Sequence, residues 1–102
     1  MPIDEITVDD LASLPTGSFV LDVRNPDEHA EARVPGVVLI PLPELESRVG
    51  ELPKGRPIAV LCRGGYRSMI ALSLLERREL GPLTDLEGGF TAWQSAGLPT
   101  VS

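Results

Sequence analysis

Short apolar runs alternate with helically spaced apolar residues along this 102-residue chain. Apolar runs bounded by glycine, proline and asparagine are typical of buried strands. They predict strands at residues 19–23, 37–40 and 58–61, with weaker candidates at 5–7 and 84–86. Elsewhere, apolar residues recur every three or four positions, which predicts helices. These predicted helices cover residues 42–52, 68–80 and 90–96, with two short ones through residues 11–14 and after Pro26.

The order of these elements predicts an α/β fold. Strands that alternate with helices form largely parallel sheets covered by helices on both faces. Such strands are buried on both sides and therefore consist of continuous apolar residues, as the run IAVL at 58–61 does. We expect residues 1–102 to form a single domain with three α/β/α layers and a mainly parallel sheet of about five strands.

Composition and charge narrow the class of protein. Nine basic residues against fifteen acidic ones give a net charge of −6, which argues against nonspecific binding to nucleic acid or anionic membranes. One cysteine cannot form an intrachain disulfide, and Asp4 and Glu5 interrupt any signal-peptide pattern at the start. No segment approaches the roughly 18 apolar residues of a membrane span. We therefore expect a cytoplasmic protein with no nucleic-acid or membrane partner.

Candidate chemistry is concentrated where the strand at 58–61 gives way to a helix. The single cysteine, Cys62, follows that strand directly and begins the sequence CRGGYRS, which ends at Ser68. Backbone amides and the helix dipole at such a turn favour an anion, and the same field stabilises a thiolate. Arg63 and Arg67 add local positive charge to an acidic chain. The pattern predicts a nucleophilic sulfur beside an anion-binding loop.

A second set of charged residues lies at the carboxyl end of the strand predicted at 19–23. Asp22 and Arg24 lie at its carboxyl end, which is the end where parallel sheets bind ligands. If this strand neighbours the one before Cys62, the charges and the thiol share one crevice. We expect Asp22 and Arg24 to organise that crevice rather than to react.

Four segments of the chain resemble the rhodanese-like sulfurtransferase family. They are LDVRNPDE at 21–28, VPGV at 34–37, CRGGYRS at 62–68 and LEGGFTAW at 86–93, and the AGLP ending at 96–99 is also similar. Together they follow the family's order and spacing over nearly the whole chain. The departures are His29, where members often have an aromatic, and Ala32 and Arg33, where they often have Gly-His. We expect these departures to alter packing near the second helix rather than chemistry.

The resemblance implies a stand-alone rhodanese domain that transfers sulfane sulfur through a persulfide on Cys62. Thiosulfate or a similar small anion would donate the sulfur, and a thiol or cyanide would accept it, without a metal or organic cofactor. Inward amides would stabilise the anionic sulfur, and the residues expected to bind it are Arg63, Gly64, Gly65, Tyr66, Arg67 and Ser68. Ser68 is expected to cap the following helix as well.

Several of these residues also have a structural interpretation. Arg67 could pair with Asp22 or Glu28 to hold the loop, which does not exclude a substrate contact. Tyr66 could line the mouth of the site or pack on the domain. His29 is the only histidine, and we expect it to be a solvated helix residue rather than a base or a metal ligand. Phe90 and Trp93 are most simply core residues.

Three functions remain open at the level of sequence. The first is an enzyme that transfers sulfur from a thiosulfate-like donor. The second is a sulfur carrier or binding module that receives sulfur from a protein partner. The third is a small cysteine-dependent phosphatase or arsenate reductase. The loop from Cys62 to Arg67 has six residues, one fewer than in the related cell-cycle dual-specificity phosphatases, and this spacing favours sulfur over phosphoester chemistry.

Overall fold

The computed structural model describes residues 4–14, 18–64 and 66–102. Its strands are β1 (Asp4–Ile6), β2 (Phe19–Asp22), β3 (Val38–Leu39), β4 (Ile58–Leu61) and β5 (Leu83–Leu86). Its helices are α1 (Val8–Ala12), α2 (Pro26–Glu31), α3 (Leu42–Arg48), α4 (Tyr66–Arg77) and α5 (Gly89–Ser95), and a 3-10 turn at Val49–Glu51 extends α3.

The five strands form one sheet in the order β1-β5-β4-β2-β3, and every neighbouring pair is parallel. The central strand β4 is buried at all four positions, because apolar side chains cover it from both faces. Its register partners include Asp22 of β2 opposite Leu61. The predicted three-layer α/β/α fold with a mainly parallel sheet is confirmed.

Two apolar cores lie on opposite faces of the sheet. One is formed with α3 and α4 and includes Leu45, Leu72 and Leu75. The other is formed with α1 and α5 and includes Leu11, Phe90 and Trp93, whose side chains confirm the prediction that the two aromatics are core residues. The Trp93 indole Nε1 donates a hydrogen bond to the Pro99 carbonyl oxygen at 2.7 Å, which satisfies its one polar atom.

Several predicted boundaries differ from the structure for local reasons. The helix predicted at 68–80 begins at Tyr66 and ends at Arg77, and Glu79 adopts a left-handed φ of 60° that a helix cannot continue. The strand predicted at 5–7 ends at Ile6, because Thr7 and Asp10 form a capping box at the start of α1. The weak candidate at 84–86 is an interior strand, hydrogen-bonded to both β1 and β4.

Candidate active site at the carboxyl end of the central strand

Cys62 lies immediately after β4, four residues before the first residue of α4. Cys62 is only 1% exposed, and its side chain belongs to the apolar core on the face of the sheet covered by α3 and α4. Arg63 and Gly64, by contrast, are exposed. The segment from Cys62 to Arg67 is called here the Cys62 loop. It leads from a buried thiol to exposed residues. Gly65 lies outside the described residues.

The start of α5 holds the Cys62 loop from one side. The Phe90 amide donates a hydrogen bond to the Cys62 carbonyl oxygen at 2.7 Å, and the Thr91 amide donates to the Arg63 carbonyl oxygen at 3.0 Å. Gly89 has a φ of 61° in this approach, and a Cβ atom there would clash with both carbonyl groups. The glycines of LEGGF thus allow α5 to bind the backbone of the loop.

Asp22 and Arg24 form a buried ion pair beside the loop. Arg24 Nε lies 3.0 Å from each Asp22 carboxylate oxygen, and Arg24 Nη2 lies 2.8 Å from Oδ2. The same guanidinium donates to the Ala32 carbonyl oxygen at 2.8 Å and stacks 4.2 Å from the centre of the Phe90 ring. Because β2 neighbours β4, this pair and Cys62 lie at the same edge of the sheet.

The structure corrects the prediction that His29 is a solvated residue. Its Nδ1 lies 3.0 Å from Asp22 Oδ2, and its side chain is only 17% exposed. The ring is held by the carboxylate of the buried ion pair rather than by water. A solitary histidine in a helical pattern gave no sign of this contact, because Asp22 reaches it only through the turn between β2 and α2.

Arg67 pairs with Glu28 rather than with Asp22. Its two terminal nitrogens, Nη1 and Nη2, contact Glu28 Oε1 at 2.6 Å and Oε2 at 3.0 Å, a bidentate geometry that favours strong pairing. The Arg67 hydrogen bonds hold the pKa of Glu28 at about 2, and the Asn25 amide contributes to the same shift. The hydrogen bond to Glu28 in turn raises the pKa of Arg67. The pair ties the start of α4 to α2.

Arg63 has a different environment from Arg67. Its side chain has no ion-pair partner among residues 4–14, 18–64 and 66–102. It borders a cleft of about 90 Å³ whose lining is largely charged or polar. The other lining residues are Arg24, Glu28, Glu31, Ala32, Phe90 and Gln94. Arg24 already pairs with Asp22. Among the residues that line this cleft, Arg63 is therefore the cation that can bind an incoming anion.

Tyr66 and Ser68, at the start of α4, have opposite environments. Tyr66 is 80% exposed, so it does not pack on the domain. Ser68 is fully buried and lies within the first turn of α4. The prediction that Ser68 caps the helix is wrong, because the helix begins two residues earlier. Its side chain is instead hydrogen-bonded to the Asp85 carboxyl group on β5, a contact that no local sequence pattern predicts.

The described residues contain no cluster of three or more His, Cys, Asp or Glu side chains arranged to hold a metal ion. Within the same part of the chain, none of the helices has the length and apolar character needed to cross a bilayer.

The chain is similar in sequence to a known protein family and to several of its members. Residues 7–96 match the family model of the rhodanese-like domain. The chain is 35% identical over 84 residues to a sulfurtransferase of Allochromatium vinosum, which covers 82% of this chain and 78% of that protein. It is also 35% identical to a putative sulfur carrier protein of Bacillus subtilis, over 72% of this chain but 40% of that longer protein.

The fold has close counterparts among solved structures. A rhodanese-related protein from Thermoplasma volcanium superposes with a TM-score of 0.89 at 33% identity, covering 96% of this chain and 97% of that one. The chain therefore belongs to the rhodanese-like family of sulfurtransferases.

Proposed function

We propose that this protein transfers sulfane sulfur from a thiosulfate-like donor to a thiophilic acceptor through a persulfide on Cys62. The observation that carries the proposal is the position of the chain's single thiol. Cys62 lies at the carboxyl end of the central parallel strand, directly before Arg63, which borders a polar cleft and has no ion-pair partner among the described residues. This is the edge of a parallel sheet at which ligands bind.

The proposed reaction is a double displacement. The Cys62 thiolate attacks the outer sulfur of thiosulfate, the S–S bond of the donor breaks, and sulfite leaves with the bonding electron pair. The enzyme then carries one extra sulfur on Cys62. Cyanide or a thiolate attacks that outer sulfur, forms thiocyanate or a new persulfide, and releases the Cys62 thiolate for the next cycle.

Each part of the site has a proposed role in these steps. Arg63 attracts the anionic donor, since no carboxylate in the described part of the chain neutralises it. Backbone N–H groups of the Cys62 loop stabilise the anionic outer sulfur through fixed dipoles. Gly64 and Tyr66, which are both exposed, form the solvent side of the loop, and Asp22 with Arg24 keeps the neighbouring strand end rigid. Arg67 acts through Glu28 by fixing the start of α4.

The test is the intact mass of the protein before and after incubation with thiosulfate. We expect a gain of one sulfur atom that cyanide removes, with thiocyanate formed in step. Cys62→Ser should abolish both the mass gain and turnover while the domain stays folded by circular dichroism. A Cys62→Ser variant with turnover comparable to wild type would refute the persulfide mechanism. Hydrolysis of an aryl phosphate by wild type, without a mass gain, would favour the phosphatase alternative.

A second candidate is a sulfur carrier that exchanges sulfur with a protein. The exposed apolar side chains of α4 favour it, because Tyr66, Met69 and Ile70 are 80%, 53% and 47% exposed directly beside the Cys62 loop. Residues spaced three and four apart form one face of a helix. A thiosulfate KM far above about 1 mM, the upper end of typical values, would favour this candidate. In that case Ile70→Gln should slow transfer from a persulfidated protein donor and leave thiosulfate turnover unchanged.

A further inference from the structure

Asp85 is an acidic residue in an apolar row of the sheet. It is the register partner of Val60 on β4, which in turn is the partner of Leu21 on β2. Matching positions of neighbouring parallel strands project from the same face, so the three side chains point toward the core formed with α4. Leu21 and Val60 are fully buried, and Asp85 is 6% exposed. A carboxyl group at this position has a large desolvation cost unless it is hydrogen-bonded.

The Asp85 carboxyl group is only partly satisfied. The Ser68 hydroxyl donates a hydrogen bond to it. Its Oδ1 atom is buried and has no hydrogen-bond partner among the described residues. Burial raises the pKa of Asp85, the Ser68 bond opposes that shift, and the charge of Glu5, its register partner on β1, adds to it. On β4 the facing residue is the apolar Val60. A buried carboxyl group that is only partly hydrogen-bonded is unfavourable for packing, so a role other than packing has to be considered.

Ser68 connects this carboxyl group to the active site. It lies in the first turn of α4, directly after Arg67, and is fully buried. Cys62 is two residues beyond Val60, so its side chain lies on the same face of the sheet as Asp85 and belongs to the same core as Val60. Asp85 therefore supports the first turn of α4 from the sheet side, as the amides of α5 support the Cys62 loop from the other side.

We propose that Asp85 is a positioning residue, which fixes the first turn of α4 through Ser68 and thereby sets the geometry of the Cys62 loop around the reacting sulfur. The inference rests on the proposed sulfur transfer at Cys62. The Cys62 loop has anchors on three elements: Glu28 on α2 holds Arg67, α5 holds the carbonyl groups of Cys62 and Arg63, and Asp85 on β5 holds Ser68. Without the third anchor, the last amides of the loop can shift relative to the sulfur.

This role predicts that stability and activity change in opposite directions. Asp85→Val continues the apolar row and removes a buried carboxyl group, so its melting temperature should equal or exceed that of wild type. Its turnover number for sulfur transfer should fall about tenfold with little change in the thiosulfate KM, because misplacement of reacting groups by a fraction of an ångström is enough for such a loss. Asp85→Asn keeps a hydrogen-bond acceptor for Ser68 and should stay within about threefold of wild type.

A double-mutant cycle tests whether Asp85 acts through Ser68. Ser68→Ala should lower turnover, and adding Asp85→Val should produce no further loss. The double variant removes both polar partners together and is therefore expected to fold even if Asp85→Val alone does not. Wild-type turnover in Asp85→Val, losses that multiply in the double variant, or an Asp85→Asn loss as large as that of Asp85→Val would each overturn the proposal.

The rate of Cys62 alkylation by iodoacetamide across pH supplies a readout that does not depend on sulfur transfer. The chain has one cysteine, so the label reports this site alone. We expect the pH profile to shift in Asp85→Val and to return toward wild type in Asp85→Asn, whereas a purely structural role would leave the profiles of folded variants superimposed. If wild type gains no sulfur from thiosulfate, the proposed function fails, but the alkylation profiles still decide the role of Asp85.

Discussion

Two arginines border the Cys62 loop, and the structure gives them different surroundings. Arg67 forms a bidentate ion pair with Glu28, in which the side chains are 26% and 20% exposed. Arg63 has no ion-pair partner within the described part of the chain and faces a cleft next to the loop. From the sequence both are expected to bind an anion, and only for Arg67 is a structural pairing, with Asp22 or Glu28, also open. The proposed roles differ accordingly: Arg67 holds the loop, and Arg63 attracts the donor.

The difference follows from where each arginine lies along the chain. Arg67 is the second residue of α4, whose start lies beside α2, so its guanidinium reaches the Glu28 carboxylate that also accepts from the Asn25 amide. Arg63 lies before the helix. Amides of α5 bind its carbonyl oxygen and that of Cys62, and Arg63 is exposed to solvent. A neutralised cation contributes little long-range attraction for an anion, whereas an unpaired one contributes its full charge.

The largest effect that separates the two residues is expected on stability. Arg67→Gln should lower the free energy of unfolding by about 2 kcal/mol, between the values typical of exposed and buried ion pairs, because it leaves the partly buried Glu28 carboxylate unpaired. Urea unfolding measures this change. Arg77→Gln is the matched control, since it removes the same charge from the exposed last turn of α4 and should change stability by no more than about 0.5 kcal/mol. Equal effects of the two substitutions would contradict the structural role of Arg67.

Much of the fold could be predicted from the sequence because local pattern and tertiary environment agree. The runs at β2 and β4 are apolar because both faces of each strand are covered, and Pro26 does begin a helix. The strand β5 was the weak candidate although it lies inside the sheet. Its apolar pattern is interrupted by Asp85, whose hydrogen bond to Ser68 on α4 no local pattern can reveal.

The sequence could predict where the candidate site lies in the fold, but not which of its residues pair. The sequence placed Cys62, Asp22 and Arg24 at one edge of the sheet, and the structure has them there. It left the partner of Arg67 open between Asp22, at the end of β2, and Glu28, shortly after it, because only the packing of α2 against α4 decides between them. The role of Gly89 was also missed, since a close backbone approach by α5 leaves no trace in apolar periodicity.

The pH dependence of stability tests the ion pair that distinguishes Arg67 from Arg63, because its carboxylate, Glu28, titrates. Its pKa is about 2 in the folded protein, well below the usual value of 4.5. The stabilisation is therefore complete above the unfolded value and is lost as the pH falls toward the folded one. Wild type should lose about 1 kcal/mol more than Glu28→Gln between pH 6 and pH 3, after allowing for partial solvent screening. Parallel urea-unfolding curves for both proteins over this range would contradict the pairing.

A titration of Asp85 does not obscure this result. Its raised pKa acts in the opposite direction, because a proton on the buried carboxyl group favours the folded state, and that contribution is lost as the pH rises through the folded pKa. Asp85 is present in both wild type and Glu28→Gln. The difference between the two proteins therefore isolates the contribution of Glu28 to acid stability.

The smallest expected effect concerns Arg63 and donor binding. Arg63→Gln should raise the thiosulfate KM about threefold, because an exposed cation at the cleft contributes a modest, screened attraction for the anion, and should leave the free energy of unfolding within about 0.5 kcal/mol of wild type. Lys54→Gln makes the same change in net charge before β4, at the end of the strand opposite Cys62, and should leave KM unaltered. Added salt should raise the KM of wild type more than that of Arg63→Gln, since the ions screen an attraction that the variant no longer has. If Arg63→Gln and Lys54→Gln have the same KM at every salt concentration, the unpaired arginine does not attract the donor, and the two arginines of the Cys62 loop differ only in structure.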